Sequence, residues 1–254
     1  MKSFRQKDIL EKLQREKVVN TIAMSKEFGV SVETIRRDLD LLEKQGVLKK
    51  IYGGAEWVNG PTVMPSPLIK RRDEYHDIKT LLAIRAAEYI PEHCTIALDA
   101  GSTIFELCQR LKEKESLTVI ASDIHSASEL LSAGHKVYMM GGFLTPDGTS
   151  SGTVAKEFFN SVAGIDLFIC ATDGAHPEEG LSTDEKGINE LKKRYMKKVK
   201  TRIAIIDHSK FQKRGFYQMC SFTDFDVVIT DSGTSPDIID KIRRTGVKVD
   251  VVKI

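Results

Sequence analysis

Seven short runs rich in Val, Ile and Leu recur along the chain after residue 90, and they restrict its fold more than any other feature. They are TIALD (95–99), LTVIA (117–121), KVYMM (136–140), DLFICAT (166–172), RIAIID (202–207), DVVIT (226–230) and VKVDVV (247–252). Between most of them lie amphipathic stretches, such as IKTLLAIRAAEYI (78–90) and DIHSASELLSA (123–133). Continuous apolar strands separated by helices predict a parallel sheet covered on both faces, an α/β fold of the Rossmann-like kind. The chain has 254 residues, enough for this domain and a second, smaller one.

The first 57 residues carry a different pattern. Phe4, Ile9, Leu10 and Leu13 recur at helical spacing and predict a helix over residues 2–15. TIAMSKEFG (21–29) predicts a short second helix stopped at Gly29. Ser31 then caps a third, whose Ile35, Leu39 and Leu42 share one face until Gly46. VLKKIYGGAEWV (47–58) has the alternation and paired glycines of a hairpin. Helix, helix-turn-helix and hairpin together make a winged helix-turn-helix over residues 1–57. Residues 58–76 hold three of the seven prolines without clean periodicity and are expected to form a linker to a domain over 77–254. Charge is split along the same line. Residues 1–57 hold 12 Lys and Arg against 9 Asp and Glu, a net of +3, whereas the remainder is at −1.

Arg36 and Arg37, early in the third helix, admit two readings. Glu33 precedes Arg37 by four residues and Arg36 precedes Asp40 by four, so both can make intrahelical ion pairs. In a helix-turn-helix, however, the first two turns of the capped helix face the major groove. Arginines there reach guanine edges or clamp phosphates. Lys49 and Lys50 fall where a wing meets the DNA backbone, with Tyr52 at its corner and Gly53-Gly54 permitting a sharp turn. SVETIRRDLDLLEKQG followed by KKIYGGA resembles the N-terminal signature of DeoR-type bacterial transcriptional regulators. The resemblance implies that Thr34, Arg36 and Arg37 contact double-stranded operator DNA, with Ser31 setting the helix start. Lys49, Lys50 and Tyr52 complete the expected DNA-contacting set.

In the larger domain, four strands end in or lead into an acidic residue: Asp99, Asp173, Asp207 and Asp231. In an open parallel sheet ligands bind outside the carboxyl ends of the strands, so these groups can share one crevice or can simply cap helices. DAGSTIFEL adds a close backbone approach at Gly101, hydroxyls at Ser102 and Thr103, and the exposed amides of a helix start, which favour phosphate. Lys210 and Lys79 are candidate cations, and Gly141-Gly142 a further close-approach turn. There is neither a Gly-x-x-x-x-Gly-Lys-Ser/Thr loop nor Gly-x-Gly-x-x-Gly, so nucleotide binding has no support.

As a set, DAGST, MGG, TDGAH and DHSK look like the sensor domain of the same regulator family, which is similar to ribose-5-phosphate isomerase. The resemblance implies a phosphorylated sugar effector, with phosphate on Gly101, Ser102, Thr103 and Lys210 and sugar hydroxyls on Asp99, Asp173 and Gly174. Ser122-Asp123 and His208-Ser209-Lys210 depart from the Thr-Asn and Ser-Ser-Lys of many members. The rival reading is a sugar-phosphate isomerase with an appended DNA-binding domain and Glu190 as its base. Against it, the stretch after Asp173 lacks the isomerases' Lys-Gly-Gly-Gly loop, and His176 stands where they have an acidic residue. His176 and His208 flank the expected pocket. Cys94, Cys108, Cys170 and Cys220 are scattered, so neither a metal site, a cofactor site nor a disulfide framework is expected, and all four read as buried thiols. No apolar run approaches a membrane span and the start of the chain carries charge, which points to the cytoplasm. A single winged helix binds weakly, so a homodimer or higher oligomer held by the sensor domains is expected.

Overall fold

The computed structural model describes residues 5, 8–9, 12–13, 16, 18–44, 48–57, 67–162, 164–183 and 186–254. The chain divides into two compact units, Met1–Pro65 and Ser66–Ile254.

In the first unit, Arg5, Asp8, Ile9, Lys12, Leu13 and Glu16 are helical; the rest of the expected first helix, and Gly46, lie outside the described residues. Strand β1 (Val18–Asn20) leads into α1 (Thr21–Glu27), and α2 (Val32–Lys44) follows, then the hairpin β2 (Leu48–Ile51) and β3 (Gly54–Trp57). The sheet runs β1-β3-β2, all antiparallel. Asn20 ends β1 and caps α1, its Oδ1 accepting from the amides of Ile22 (2.9 Å) and Ala23 (3.1 Å). Gly54 is required by packing, because a Cβ there would sit 1.9 Å from the Val19 carbonyl oxygen. Ile9, Leu13, Val19, Met24, Ile35, Leu39, Leu42, Leu48 and Ala55 form one buried core. The third strand is a feature that the sequence pattern did not predict.

The second unit begins with α3 (Pro67–Asp73) and α4 (His76–Glu88), so the latter half of the expected 58–76 linker is helical. Pro67 marks the helix start: it occupies the first position, where a missing N–H costs nothing, and Leu68 is buried. Residues 58–66 lie outside the described set. The seven apolar runs become β4 (Thr95–Leu98), β5 (Thr118–Ala121), β6 (Lys136–Met139), β9 (Ile165–Cys170), β12 (Val199–Ile206), β14 (Val227–Asp231) and β15 (Lys248–Val252). They form one sheet in the order β15-β14-β12-β9-β4-β5-β6, every pairing parallel.

Alternate residues of these strands feed two cores. Ile96, Leu98, Val119, Leu167, Ile169, Ile203, Ile205 and Ile229 pack with α4, with α5 (Ser102–Leu111) and with α6 (Ile124–Ser132). Ala97, Ile120, Phe168, Cys170, Ala204, Ile206 and Val228 pack on the other face, with Ala155 of α7 (Thr153–Ser161), Tyr195 of α8 (Lys186–Lys198) and Ile242 of α9 (Pro236–Arg244). Period-2 burial on both faces is what continuous apolar strands require. Two small antiparallel elements were not read from the sequence. One is the ribbon β7 (Phe143–Leu144) with β8 (Ser150–Ser151); the other is the sheet of β10 (Gly174–His176), β11 (Gly180–Thr183) and β13 (Tyr217–Cys220). Cys94, Cys108 and Cys170 are buried free thiols, but Cys220 is only partly buried. Burial pushes the Cys108 thiol up to about 12.

Candidate nucleic-acid interface and strand-end crevice

Helix α2 sorts its side chains by the turn. Ile35, Asp38, Leu39 and Leu42 point inward, and buried Asp38 accepts from Arg5 Nε at 2.6 Å, fastening the first helical segment to α2. Arg36 and Arg37 fall on the outer face, with side chains 62% and 76% exposed. Ser31 caps the helix as expected: its Oγ accepts from the Thr34 amide at 3.2 Å and lies 2.9 Å from the Thr34 hydroxyl.

Glu33 stands near both arginines, 3.8 Å from Arg36 and 3.6 Å from Arg37. The Arg36–Asp40 pair offered by the spacing does not form, because Asp40 pairs with Lys50 of the hairpin. Lys50 is further fixed by its amide, which donates to Glu43 Oε1 at 2.8 Å. The hydrogen bond to Asp40 raises the Lys50 pKa. Lys50 therefore pins the hairpin to α2, whereas Lys49 is exposed and Tyr52 stands entirely free at the tip. Exposed pairs of the Glu33 kind are worth at most about 1 kcal/mol, so a phosphate or guanine edge can displace them.

In the second unit, strand order reverses between β4 and β9. From β4 the chain moves outward through β5 to β6; from β9 it moves the other way through β12 and β14 to β15. The crevice at this reversal, outside the carboxyl ends, is where an open parallel sheet accommodates a ligand. Asp99, Asp173, Asp207 and Asp231 all lie at this end, in differing roles.

Asp99 is 2% exposed, and its Oδ2 receives Lys192 Nζ at 2.7 Å and the Ala171 amide at 2.9 Å. Lys192, on α8, also donates to the Ala171 carbonyl at 2.9 Å. Burial by itself would drive Lys192 toward neutrality, but the Asp99 charge outweighs it and keeps the ammonium protonated. The expected hydroxyl-binding role of Asp99 thus meets a carboxylate already committed to stitching β4, β9 and α8 together.

Asp173 accepts from Thr183 Oγ1 at 2.8 Å and sits 3.6 Å from Arg71 of α3. Gly174 is needed for packing, since a Cβ would lie 2.4 Å from the Lys213 carbonyl oxygen. Gly142 is constrained in the same way by the Ser151 carbonyl, 2.2 Å from a Cβ, and Gly141 has φ 76°. Asp231 holds His208, whose Nδ1 lies 2.8 Å from Asp231 Oδ1, and the His208 ring meets Tyr75 edge-on at 5.4 Å. His176 Nδ1 accepts from the Glu178 amide at 3.4 Å. Asp207 is buried; its Oδ1 accepts from the Ser209 amide at 3.0 Å, and its Oδ2 has no hydrogen-bond partner among the described residues.

Gly101, at φ 125°, starts α5, and no side chain caps the amides there. Ser102 and Thr103 are nearly buried in its first turn. Lys79, on α4, donates to the carbonyls of Arg71 and Glu74. Burial lowers its pKa, and the Asp207 charge opposes that. Lys210 Nζ is 4.0 Å from Asp207 Oδ2. Arg71 additionally reaches Asp147, in the β7–β8 turn, at 3.3 Å. Sequence reasoning missed Arg71, Asp147 and Lys192 and did not single out Asp207 among the strand-end acids. Among the described residues no cluster of His, Cys, Asp and Glu can hold a metal ion, and no helix is long and apolar enough to cross a membrane.

Known proteins agree with this architecture. Residues 74–232 match the family model described as the DeoR C terminal sensor domain, and residues 5–60 that of the DeoR-like helix-turn-helix domain. The chain is 31% identical to the transcriptional repressor AccR of Agrobacterium fabrum, covering 94% of this chain and 95% of that protein. It is 28% identical to a putative aga operon transcriptional repressor of Escherichia coli O157:H7, over 98% and 94% of the two chains. Identity to the HTH-type transcriptional regulator GolR of Listeria innocua is also 28%, over 98% of each. Among solved structures, ribose 5 phosphate isomerase A from Neisseria gonorrhoeae aligns over 52% of each chain with a TM-score of 0.40 and 20% identity, so the fold assignment rests on the sheet itself. Both halves of the chain match one family, and its relatives along the full length are named as repressors and regulators: the protein belongs to the DeoR family of DNA-binding transcriptional repressors.

Proposed function

We propose that this repressor governs a carbohydrate-utilisation operon and is controlled by a phosphorylated sugar or related metabolite bound in the strand-end crevice. The observation that carries this reading is the set of cations near the carboxyl ends of the strands: Lys210, 4.0 Å from Asp207, Arg71, 3.6 Å from Asp173, and Lys79, which donates to the Arg71 carbonyl. Cations on one side of a crevice repel one another, and a dianionic phosphate relieves that repulsion. The uncapped start of α5, at Gly101, Ser102 and Thr103, offers amides and a helix dipole to the same anion. The Oδ2 of Asp207 supplies an acceptor for a sugar hydroxyl. β4 and β12 flank β9, which sets their ends roughly 10 Å apart, about the span of a sugar phosphate. In this reading Asp99 and Gly174 shape the crevice and Asp173 borders it. Residues Arg36, Arg37, Thr34, Lys49 and Tyr52 meet the operator, with Ser31 and Lys50 holding the helix and wing in place. The protein acts as a homodimer or higher oligomer, and the metabolite relieves repression.

The test is thermal stabilisation by a panel of pentose and hexose monophosphates, each compared with its unphosphorylated parent. Stabilisation by phosphorylated members alone is expected, lost in Ser102→Asp, which places a negative charge at the phosphate seat. Equal stabilisation by the parents, or an unchanged response in Ser102→Asp, contradicts the reading.

A further inference from the structure

The segment that opens the second unit reaches the carboxyl ends of the strands. From α3, Arg71 sends its guanidinium to Asp173, which follows β9, and to Asp147, in the β7–β8 turn, at 3.6 and 3.3 Å. Beside it, the Arg72 guanidinium lies 3.6 Å over the Phe105 ring in the first turns of α5. Tyr75, between α3 and α4, holds a left-handed backbone at φ 54° with its ring edge against His208. Lys79 grips the carbonyls of Arg71 and Glu74. A non-glycine residue held left-handed stores strain, and it persists only where surrounding contacts hold it.

The Arg71 contacts with Asp147 and Asp173 are longer than the roughly 2.7–2.9 Å of a well-made guanidinium–carboxylate bond. A phosphate entering the crevice offers the same fork two oxygens and more charge. Resting on the sugar-phosphate reading above, we propose that Arg71 is the occupancy sensor: its guanidinium leaves Asp147 and Asp173 for the ligand phosphate, and α3 is re-seated as it does so. α3 is the first described element of the second unit, and the response to the ligand is routed through it. The carboxylates are then competitors of the ligand, which gives the arrangement a signature that a structural ion pair lacks. Neutralising a carboxylate has the opposite effect on ligand affinity from neutralising the arginine.

The experiment uses the full-length protein, a fluorescent DNA duplex that it selects from a random pool, and the sugar monophosphate that stabilises it most in the panel above. Ligand affinity is read by calorimetry and DNA release by anisotropy. For Arg71→Gln, retained DNA binding, ligand affinity about tenfold weaker and no DNA release even at saturating ligand are expected. Asp147→Asn is expected to bind the ligand several-fold more tightly and to release DNA at lower ligand concentration. Arg71→Lys keeps the charge without the fork and should fall between wild type and Arg71→Gln. Full DNA release from ligand-saturated Arg71→Gln, or weaker ligand binding by Asp147→Asn, overturns the proposal while leaving the crevice reading intact. Failure of every sugar phosphate to bind the wild-type protein overturns both.

Discussion

Single residues divide into those that hold the protein together and those left facing outward, and the division predicts how each responds to substitution. Arg37 is exposed and, among the described residues, pairs with Glu33, which it shares with Arg36, so its removal spares the fold. Arg37→Ala is expected to weaken binding to a selected duplex by roughly 1–3 kcal/mol with thermal stability unchanged, as measured by anisotropy at moderate salt. Lys192 is the opposite case. Lys192→Met strands the buried Asp99 carboxylate and should cost roughly 3–5 kcal/mol in urea unfolding; adding Asp99→Asn should recover much of that loss, because it removes the uncompensated charge. Sequence alone could not have found Lys192. In NELKKRYMKK it is one cation among several, and it reads as part of a solvated face until the fold buries it against β4 and β9. Arg71 in KRRDE was equally anonymous, because a partner 76 residues further along the chain gives it meaning. The capping role of Ser31 was legible because it is local: the Ser31–Thr34 contact spans three residues.

Secondary-structure elements follow the same rule. The seven core strands were legible because burial on both faces demands uninterrupted Val, Ile and Leu, a signal contained in each run. β1, β7, β8, β10, β11 and β13 were not, because they have only two to four residues, and β1 and β13 in addition depend on remote pairing, Val18 against Glu56 and Leu181 against Cys220. Element ends make a prediction of their own. Asp123 caps α6, with Oδ1 accepting from the amides of His125 (3.0 Å) and Ser126 (2.9 Å) and Oδ2 from the Ser126 hydroxyl (2.7 Å). Burial raises its pKa, and the Ser126 bonds oppose the rise. A raised carboxyl pKa contributes stability that is present below the unfolded value and lost as pH climbs through the folded one. The charge is therefore a burden at neutral pH, while the oxygen is the useful part. Asp123→Asn should leave neutral-pH stability unchanged or slightly higher, whereas Asp123→Ala should cost roughly 0.5–2 kcal/mol by denaturant titration. A loss in Asn equal to that in Ala would mean that the charge itself does the capping.

At the scale of the whole molecule, the two units have complementary chemistry. The first presents exposed arginines on a capped helix whose interior-facing residues anchor it, and its family membership makes it the DNA-binding part. The second carries Lys210, Arg71 and Lys79 near the carboxyl ends of its parallel strands. The account joins them through one dependence: occupancy of the crevice by an anionic sugar lowers the protein's affinity for its operator. The most direct measurement is the anisotropy of a selected operator duplex bound to the full-length protein, titrated in parallel with sugar monophosphates and with their unphosphorylated parents at fixed ionic strength. The account predicts saturable release by at least one phosphorylated sugar and none by its parent. Operator binding that is indifferent to every sugar phosphate, or released equally by the parent sugars, would contradict it.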